Sequence, residues 1–216
     1  MSKKAIAAAG CSCELGGGLG VLQDFTTYTE WEQTGNPLTV TAPWIKATNM
    51  ANNKKDYVSK AIAGIGTGDF TCHTSVYVSG GGANPSYALV GASDTWVFPL
   101  SSNFLGVRLN ETSTYKRLQL VEKHGLIHNW GGYLTIPATT WAYFRIRVVR
   151  AVGVHGTMYL QLFTDETYTT PSGSEISLAL AATNSMTYWH GLSNGYTALA
   201  RLWNGYIKDT YLIYGA

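Results

Sequence analysis

Two glutamates, Glu30 and Glu32, flank Trp31 in the run "YTEWEQT". Carboxylates two apart on an extended strand share a face. A pair held about 5–5.5 Å apart is the equipment of a retaining glycosidase. Solvated acids at a strand edge show the same spacing, so the chemistry is not specified by it. Asp165-Glu166 falls in the turn after "YLQLF", where acids commonly end strands. The glycine-rich runs "GGGLG" and "GIGTGDF" lack the lysine and hydroxyl of a phosphate loop. There is no Gly-x-Ser-x-Gly nucleophile turn. No catalytic residue is assigned, and a non-enzymatic protein is expected.

Metal chemistry is equally thin. His124 and His128 stand four apart in "HGLIH", a helical spacing interrupted by Gly125. Cys72-His73 would join Cys11 and Cys13 only if the N-terminal segment folded back. No transition-metal site or cofactor is expected. Asp94, Asp165 and Asp209 are scattered and form no Asp-x-Asp-x-Asp-Gly loop, which still leaves room for one structural calcium ion.

Aromatic residues are the real excess, with seven Trp and fourteen Tyr. Their rings stack on the apolar faces of sugars, and their polar tips find partners at wet interfaces. Trp130 in "HNWGGY", and Tyr188, Trp189 and Tyr196 in "YWHGLSNGY", are read as loop aromatics that contact a glycan or a protein partner. Packing inside a sandwich is the alternative for several of them.

The elements that must position these residues are short and β-prone. "FTCHTSVYVS" alternates, with Phe70, Cys72, Thr74, Val76 and Val78 on one face and His73, Ser75 and Tyr77 on the other. "WAYFRIRVVRAVGVHGTMYLQLFTD" is two alternating arms around a glycine turn. Phe144, Ile146 and Val148 are expected inward on the first arm, and Met158, Leu160 and Leu162 on the second. Arg145, Arg147 and Arg150 then belong to a solvated strand face. Residues 50–63 are the one stretch with a helical spacing, through Tyr57, Lys60 and Ala61. Many short strands broken by Gly, Asn, Ser and Thr give an all-β class.

Charged residues are only 13% of 216, and the formal net charge is +2. That balance points away from nucleic acid and from an anionic membrane, and no apolar run is long enough to span a bilayer. Three cysteines do not make a disulfide framework. The N-terminal "MSKKAIAAAGCSCELGGGLG" has too short an apolar core for a secretion signal, and no glycan is expected on Asn110 in "NET".

The second half resembles the concanavalin A-like lectin/glucanase superfamily, in its laminin-G-like branch, over residues of about 65–215. The likeness rests on "YLQLFTD" after the glycine hairpin and on "WNGYIKDTYLI" near the end. It implies an antiparallel two-sheet jelly-roll sandwich whose last strand lies beside an early one. Gly205 would then allow a bulge or close approach, and Ile207 and Leu212 would face the core. Glycan-cleaving members carry Glu-x-Asp-x-x-Glu on one strand, which this chain lacks.

Residues 1–24 are read as an N-terminal arm and 25–216 as the sandwich. The arm, with Cys11, Cys13, Leu15 and Leu19, is expected to hold a neighbouring subunit. Weak charge, free thiols and that arm suggest a bacteriophage virion component, such as a capsid decoration or tail or fibre protein. It would be made in a cytoplasm without a signal peptide and displayed on a particle surface, as part of a homo-oligomer or larger assembly. A soluble carbohydrate-binding lectin is the alternative. On the assembly reading, deleting residues 1–24 abolishes incorporation into particles, as followed by sedimentation, and a truncated chain that assembles normally overturns it.

Overall fold

The structure, a computed structural model, describes residues 32–34, 37–41, 44–51, 56–79, 86–95, 103–112, 114–194 and 202–214. These residues form fourteen strands and no helix. In chain order they are β1 (Glu32–Thr34), β2 (Leu38–Thr41), β3 (Trp44–Ala51), β4 (Tyr57–Gly66), β5 (Phe70–Val78), β6 (Ser86–Ser93) and β7 (Phe104–Glu111). There follow β8 (Lys116–His124), β9 (Ile127–Thr135), β10 (Trp141–Val149), β11 (Thr157–Phe163), β12 (Pro171–Ala179), β13 (Met186–Asn194) and β14 (Leu202–Tyr214). One sheet runs β1-β4-β13-β6-β7-β8-β9 and the other β12-β11-β10-β5-β14-β3-β2. All pairings are antiparallel. This is the all-β sandwich expected from the strand spacing.

Period-two alternation decides which side chains enter the core. Along β5, Phe70, Cys72, Thr74, Val76 and Val78 are all buried inward, as the sequence pattern required. The β10–β11 hairpin pairs Phe144 with Leu162, Ile146 with Leu160 and Val148 with Met158. Five of these six are fully buried, and Leu162 packs on the same core from a partly buried position. Gly153 and Gly156 in the connection have φ of 83° and 98°, a left-handed backbone that glycine adopts without steric cost. Trp189 and Trp203 are the largest fully buried side chains. The Trp189 ring meets Phe70 edge to face at 5.8 Å, tying the two sheets together.

The last strand is internal, lying between β3 and β5. Ile207 and Leu212 are both buried, although five residues apart on a regular strand would place them on opposite faces. The phase changes because β14 advances three residues, from Lys208 to Tyr211, while β5 moves back two, from Ser75 to His73. That bulge turns Thr210 inward, where its hydroxyl meets that of Thr74 at 2.8 Å. A second irregularity lies on the other side, where the extra residue belongs to β3. There Asn49 takes φ of 53° and donates its N–H to Asn204 Oδ1 at 2.7 Å. Gly205 itself serves close approach: a Cβ there would strike the Tyr77 carbonyl and come within 2.7 Å of the Trp203 ring.

Several sequence expectations are corrected. The helical spacing in residues 50–63 belongs to the end of β3 and to β4. Val58 and Ile62, both buried, are four apart, a spacing that fits one helical turn and two strand periods alike. "HNWGGY" and most of "YWHGLSNGY" are strands, β9 and β13, rather than loops. Arg145 and Arg147 do share the outer face of β10, but both are tied to Glu175, at 3.1 and 2.7 Å. The arm with Cys11, Cys13, Leu15 and Leu19, the boundary at residue 24, Glu30 and Tyr196 lie outside the described residues.

Two histidines are buried. His190 Nε2 sits 2.8 Å from Ser93 Oγ and 3.2 Å from the Thr95 carbonyl oxygen. Burial holds it neutral, lowering its pKa to about 4. His73 lies against the Tyr168 ring at 4.9 Å, and burial followed by the Arg145 charge lowers it to about 4 as well.

Two outcomes are expected. Gly205→Ala lowers stability by about 1–3 kcal/mol through overpacking, and an unchanged midpoint in chemical denaturation overturns that account. The histidines set a pH trend, because once unfolded they bind protons at their ordinary value near 6.5. Between there and about 4 the unfolded chain therefore carries more protons. Stability is full above the upper limit and falls as the pH drops toward the lower one. Urea melts across that range should show the decline, and His190→Gln should reduce it to the share of His73, roughly half; a flat wild-type profile contradicts the reading.

Candidate functional site: two aromatic faces

The outer face of the β14 sheet carries a strip of aromatic residues assembled from four strands. The registers place Trp141, Tyr77, Tyr206 and Lys46 in one row across β10, β5, β14 and β3. Tyr143, Ser75, Lys208 and Trp44 form the next row. Residues two apart on a strand share a face, so both rows point outward together. Tyr77 lies 5.7 Å from Trp141 and 5.9 Å from Tyr206. Trp44 meets Tyr206 edge to face at 6.3 Å. Lys208 Nζ is 4.7 Å from the centre of the Trp141 ring, and Lys46 Nζ is 5.8 Å from that of Tyr206.

Trp44, Tyr77, Ser79, Trp141 and Tyr206 line an open cleft of about 400 Å³. The rings are tilted or perpendicular to one another, at 54–71°. None of these pairs is stacked flat, so ring surface stays available to a flat apolar ligand face. Sequence reasoning did not single out these four aromatics, because no linear motif joins them. The alternation of "FTCHTSVYVS", which put Tyr77 on the outer face of β5, was the one local signal.

A short loop, residues 164–170, bounds the strip at one end. Tyr168, with φ of 56°, is buried against His73 and meets Tyr143 edge to face at 6.1 Å. Asp165 holds the loop in shape. Its carboxylate accepts N–H bonds from Thr167, Thr169 and Thr170 at 3.0, 3.2 and 2.9 Å, and hydroxyl bonds from Thr167 and Thr169. Desolvation pushes this carboxyl up, but the hydrogen bonds from the three threonines together outweigh it and hold it well below the usual carboxylate range.

The sequence-selected aromatics are not gathered into one site. Trp130 projects from the outer face of β9 in the opposite sheet and is 45% exposed. His128 stacks on its ring at 5.5 Å and 13°, and the Arg108 guanidinium lies 4.3 Å from its centre. The ring is thus already in contact with two side chains of its own sheet. Tyr188 and Trp189 are adjacent on β13 and point to opposite faces. Trp189 is fully buried in the core, which removes it from any surface contact, while Tyr188 is half-buried on the outer side.

The carboxylates and possible metal ligands hold the structure together. Asp94 accepts from the Asn103 N–H and Nδ2 at 2.9 and 2.7 Å. Glu122, buried, accepts from the Ala181 and Ala182 N–H groups at 2.8 and 3.1 Å. His124 and His128 sit on the two strands of the β8–β9 hairpin, not on a helix. Cys72 is buried, and burial raises its thiol pKa well above the ordinary value. Among the described residues no group of three or more His, Cys, Asp or Glu is placed to hold a metal ion. The oxygens of Asp94 and Asp165 accept hydrogen bonds from their own loops. The side chains of Glu32 and Asp209 lie outside the described set.

No protein-family model matches the chain, and no curated protein matches it in sequence. Solved structures do match it in shape. The exoplasmic/lumenal domain of VIP36, in its Ca2+/Man3GlcNAc-bound form, aligns with a TM-score of 0.61 at 11% identity, over 90% of this chain and 87% of that one. A legume lectin-like domain from Entamoeba histolytica aligns with a TM-score of 0.52 at 9% identity, over 85% and 90%. A Trypanosoma rangeli sialidase mutant displaying trans-sialidase activity aligns with a TM-score of 0.50 at 12% identity; 85% of this chain matches 27% of that one. At such identities the likeness is one of fold. The two antiparallel sheets are those of the concanavalin A-like, lectin-type sandwich.

Proposed function

We propose that this chain is a carbohydrate-binding, lectin-like module that takes a glycan in the cleft between Trp44, Tyr77, Trp141 and Tyr206. The observation behind this reading is the open aromatic strip, with rings tilted so that sugar C–H faces have surface to lie on. Ser79 and the Lys46 and Lys208 ammonium groups sit at the same place and supply polar partners for hydroxyls. VIP36, which shares the fold, has been solved with Man3GlcNAc and with Man2. That makes mannose-containing oligosaccharides the first probes.

Binding is favoured over catalysis, because Asp94, Asp165, Glu122 and Glu175 are engaged in holding a loop or strand and Glu111 pairs with Lys116. The laminin-G-like assignment rests on the "WNGYIKDTYLI" pattern, and the position of β14 between β3 and β5 is compatible with it. The virion role and the particle-surface location depend on residues 1–24, outside the described set. They remain expectations of the sequence, with less support than the lectin reading.

Titrating hexose oligosaccharides, mannose-containing ones included, should give a saturable change in tryptophan fluorescence. Loss of a central stacking aromatic costs about 2 kcal/mol or more, so Trp141→Ala should weaken binding at least roughly tenfold. Val154→Ala, at the exposed tip of the β10–β11 connection, should not. No saturable signal across the panel, or a Trp141→Ala protein that binds like wild type, rules the cleft out.

A further inference from the structure

A sheet edge presents backbone N–H and C=O groups with no strand beside them, and proteins blunt such edges in recognisable ways. Of the four edges here, β1 and β2 are only three and four residues long. β12 opens on Pro171 and loses register opposite Leu160 and Leu162, with Gly173 at φ of 72°. β9 is the exception. It runs nine residues, contains no Pro, Asp, Glu, Lys or Arg, and has no buried residue. β8 satisfies one side of it, and among the described residues no strand pairs with the other. Eight large hydrophobic side chains are exposed among the described residues, and Leu126, Ile127, Trp130 and Tyr133 are four of them. Apolar surface is therefore concentrated on the one edge that is long and uncharged.

A bulge divides this strand and bears on what can pair with it. β8 advances two residues, from Gln119 to Val121, while β9 moves back three, from Tyr133 to Trp130. The extra residue falls in Gly131-Gly132, so Trp130 and Tyr133 share the outer face despite their odd spacing. His128 and Thr135, each two residues further along, share it too. Gly131 is required there, since a Cβ would come within 2.9 Å of Leu120 Cβ. The edge is also two strands deep, because Asn129 Nδ2 donates to the Ala179 carbonyl of β12 at 3.1 Å. A regular strand laid along β9 would fall out of step at the bulge. A second copy of β9 carries the same extra residue and stays in step.

We propose that β9 pairs antiparallel with β9 of a second copy of this chain, joining the two seven-stranded sheets into one. With the twofold axis at Gly131-Gly132, Tyr133 lies opposite the partner's Trp130 and Thr135 opposite the partner's His128. Opposite residues of an antiparallel pair point to one face, and these four all belong to the outer face. The strand carries no acidic or basic charge, so self-pairing sets no like charges against each other. A nine-residue strand is about 30 Å long and the sandwich edge about 20 Å deep, which gives about 600 Å² on each copy, the low end for a specific interface. The axis must stand perpendicular to the sheet, since only that rotation reverses the strand and keeps its outer face outward. Both copies then turn their aromatic clefts to the same side, where one glycan-bearing surface can meet the two together. The pairing itself does not depend on the glycan reading.

The test is sedimentation equilibrium of the full chain from micromolar to submillimolar concentration, with amide hydrogen exchange measured at both ends of the range. A reversible dimer should form, and the β9 amides should exchange more slowly at the higher concentration. The double variant His128→Lys/Thr135→Lys sets like charges opposite each other twice and should raise the dissociation constant at least roughly tenfold. His128→Glu/Thr135→Lys sets opposite charges in the same places and should dimerise better than the first. Val154→Lys, at the exposed β10–β11 tip, should dimerise like wild type. Near-UV circular dichroism and melting points check that each variant folds. A chain that stays monomeric at every concentration overturns the proposal and leaves β9 to another occupant. It is equally overturned by a dimer whose β9 amides exchange as in the monomer, by a folded Lys/Lys variant that dimerises like wild type, or by equal dimerisation of the two double variants.

Discussion

The placement of β14 between β3 and β5 is the constraint on which the rest of the structure depends. A thirteen-residue strand in the middle of a sheet must satisfy a neighbour on each side and keep one face in the core along its length. Strict alternation would fail, because Ile207 and Leu212 differ by an odd number of residues. One extra residue after Lys208 repairs the phase and leaves Thr210 facing the core, where Thr74 takes up its hydroxyl. On the other side the adjustment is made by β3 through Asn49, and Gly205 keeps Tyr77 and Trp203 close. Before the bulge, Tyr206 and Lys208 point outward; after it, Leu212 points inward. The aromatic cleft exists because the phase changes after these two residues and not before them.

The same device recurs on the other sheet. Gly131-Gly132 gives β9 one residue more than β8, and Trp130 and Tyr133 come to the same side as Arg108 and Arg117. In both sheets a local break in the ladder forgoes a little regular pairing and sets which side chains face solvent. The backbone cost is kept low by residues that suit the position: Asn tolerates left-handed φ better than most residues, and Gly131 accepts a core neighbour that any Cβ would displace.

How much of this was legible in the sequence follows from the distance over which each signal acts. The β10–β11 hairpin was legible because its turn glycines and both alternating arms are contiguous. The last strand was legible through "WNGYIKDTYLI", including the close approach at Gly205. The reading of residues 50–63, made through Tyr57, Lys60 and Ala61, failed because a spacing of four, as from Tyr57 to Ala61, serves helix and strand equally. Trp189 was misplaced for a related reason: beside Tyr188 on a strand, one ring must face in and one out, and composition does not say which. The aromatic cleft was hidden altogether. Its members come from β3, β5, β10 and β14, and only the sheet order makes them neighbours.

Ring orientation separates the two outer faces more sharply than composition does, since both are rich in aromatics and cations. On the β14 sheet the rings meet edge to face, which leaves faces turned toward solvent as surface for an apolar ligand. On the β7–β9 face the guanidinium groups of Arg108 and Arg117 sit 3.8–4.3 Å from ring centres, so those rings are engaged within the protein itself. The first arrangement suits the C–H face of a sugar. A count of Trp and Tyr cannot make that distinction. It depends on what lies over each ring. In the cleft these are lysine ammonium groups at 4.7 and 5.8 Å. On the other face they are guanidinium groups at 3.8–4.3 Å, where the bulge brought Tyr133 onto the side of Arg117.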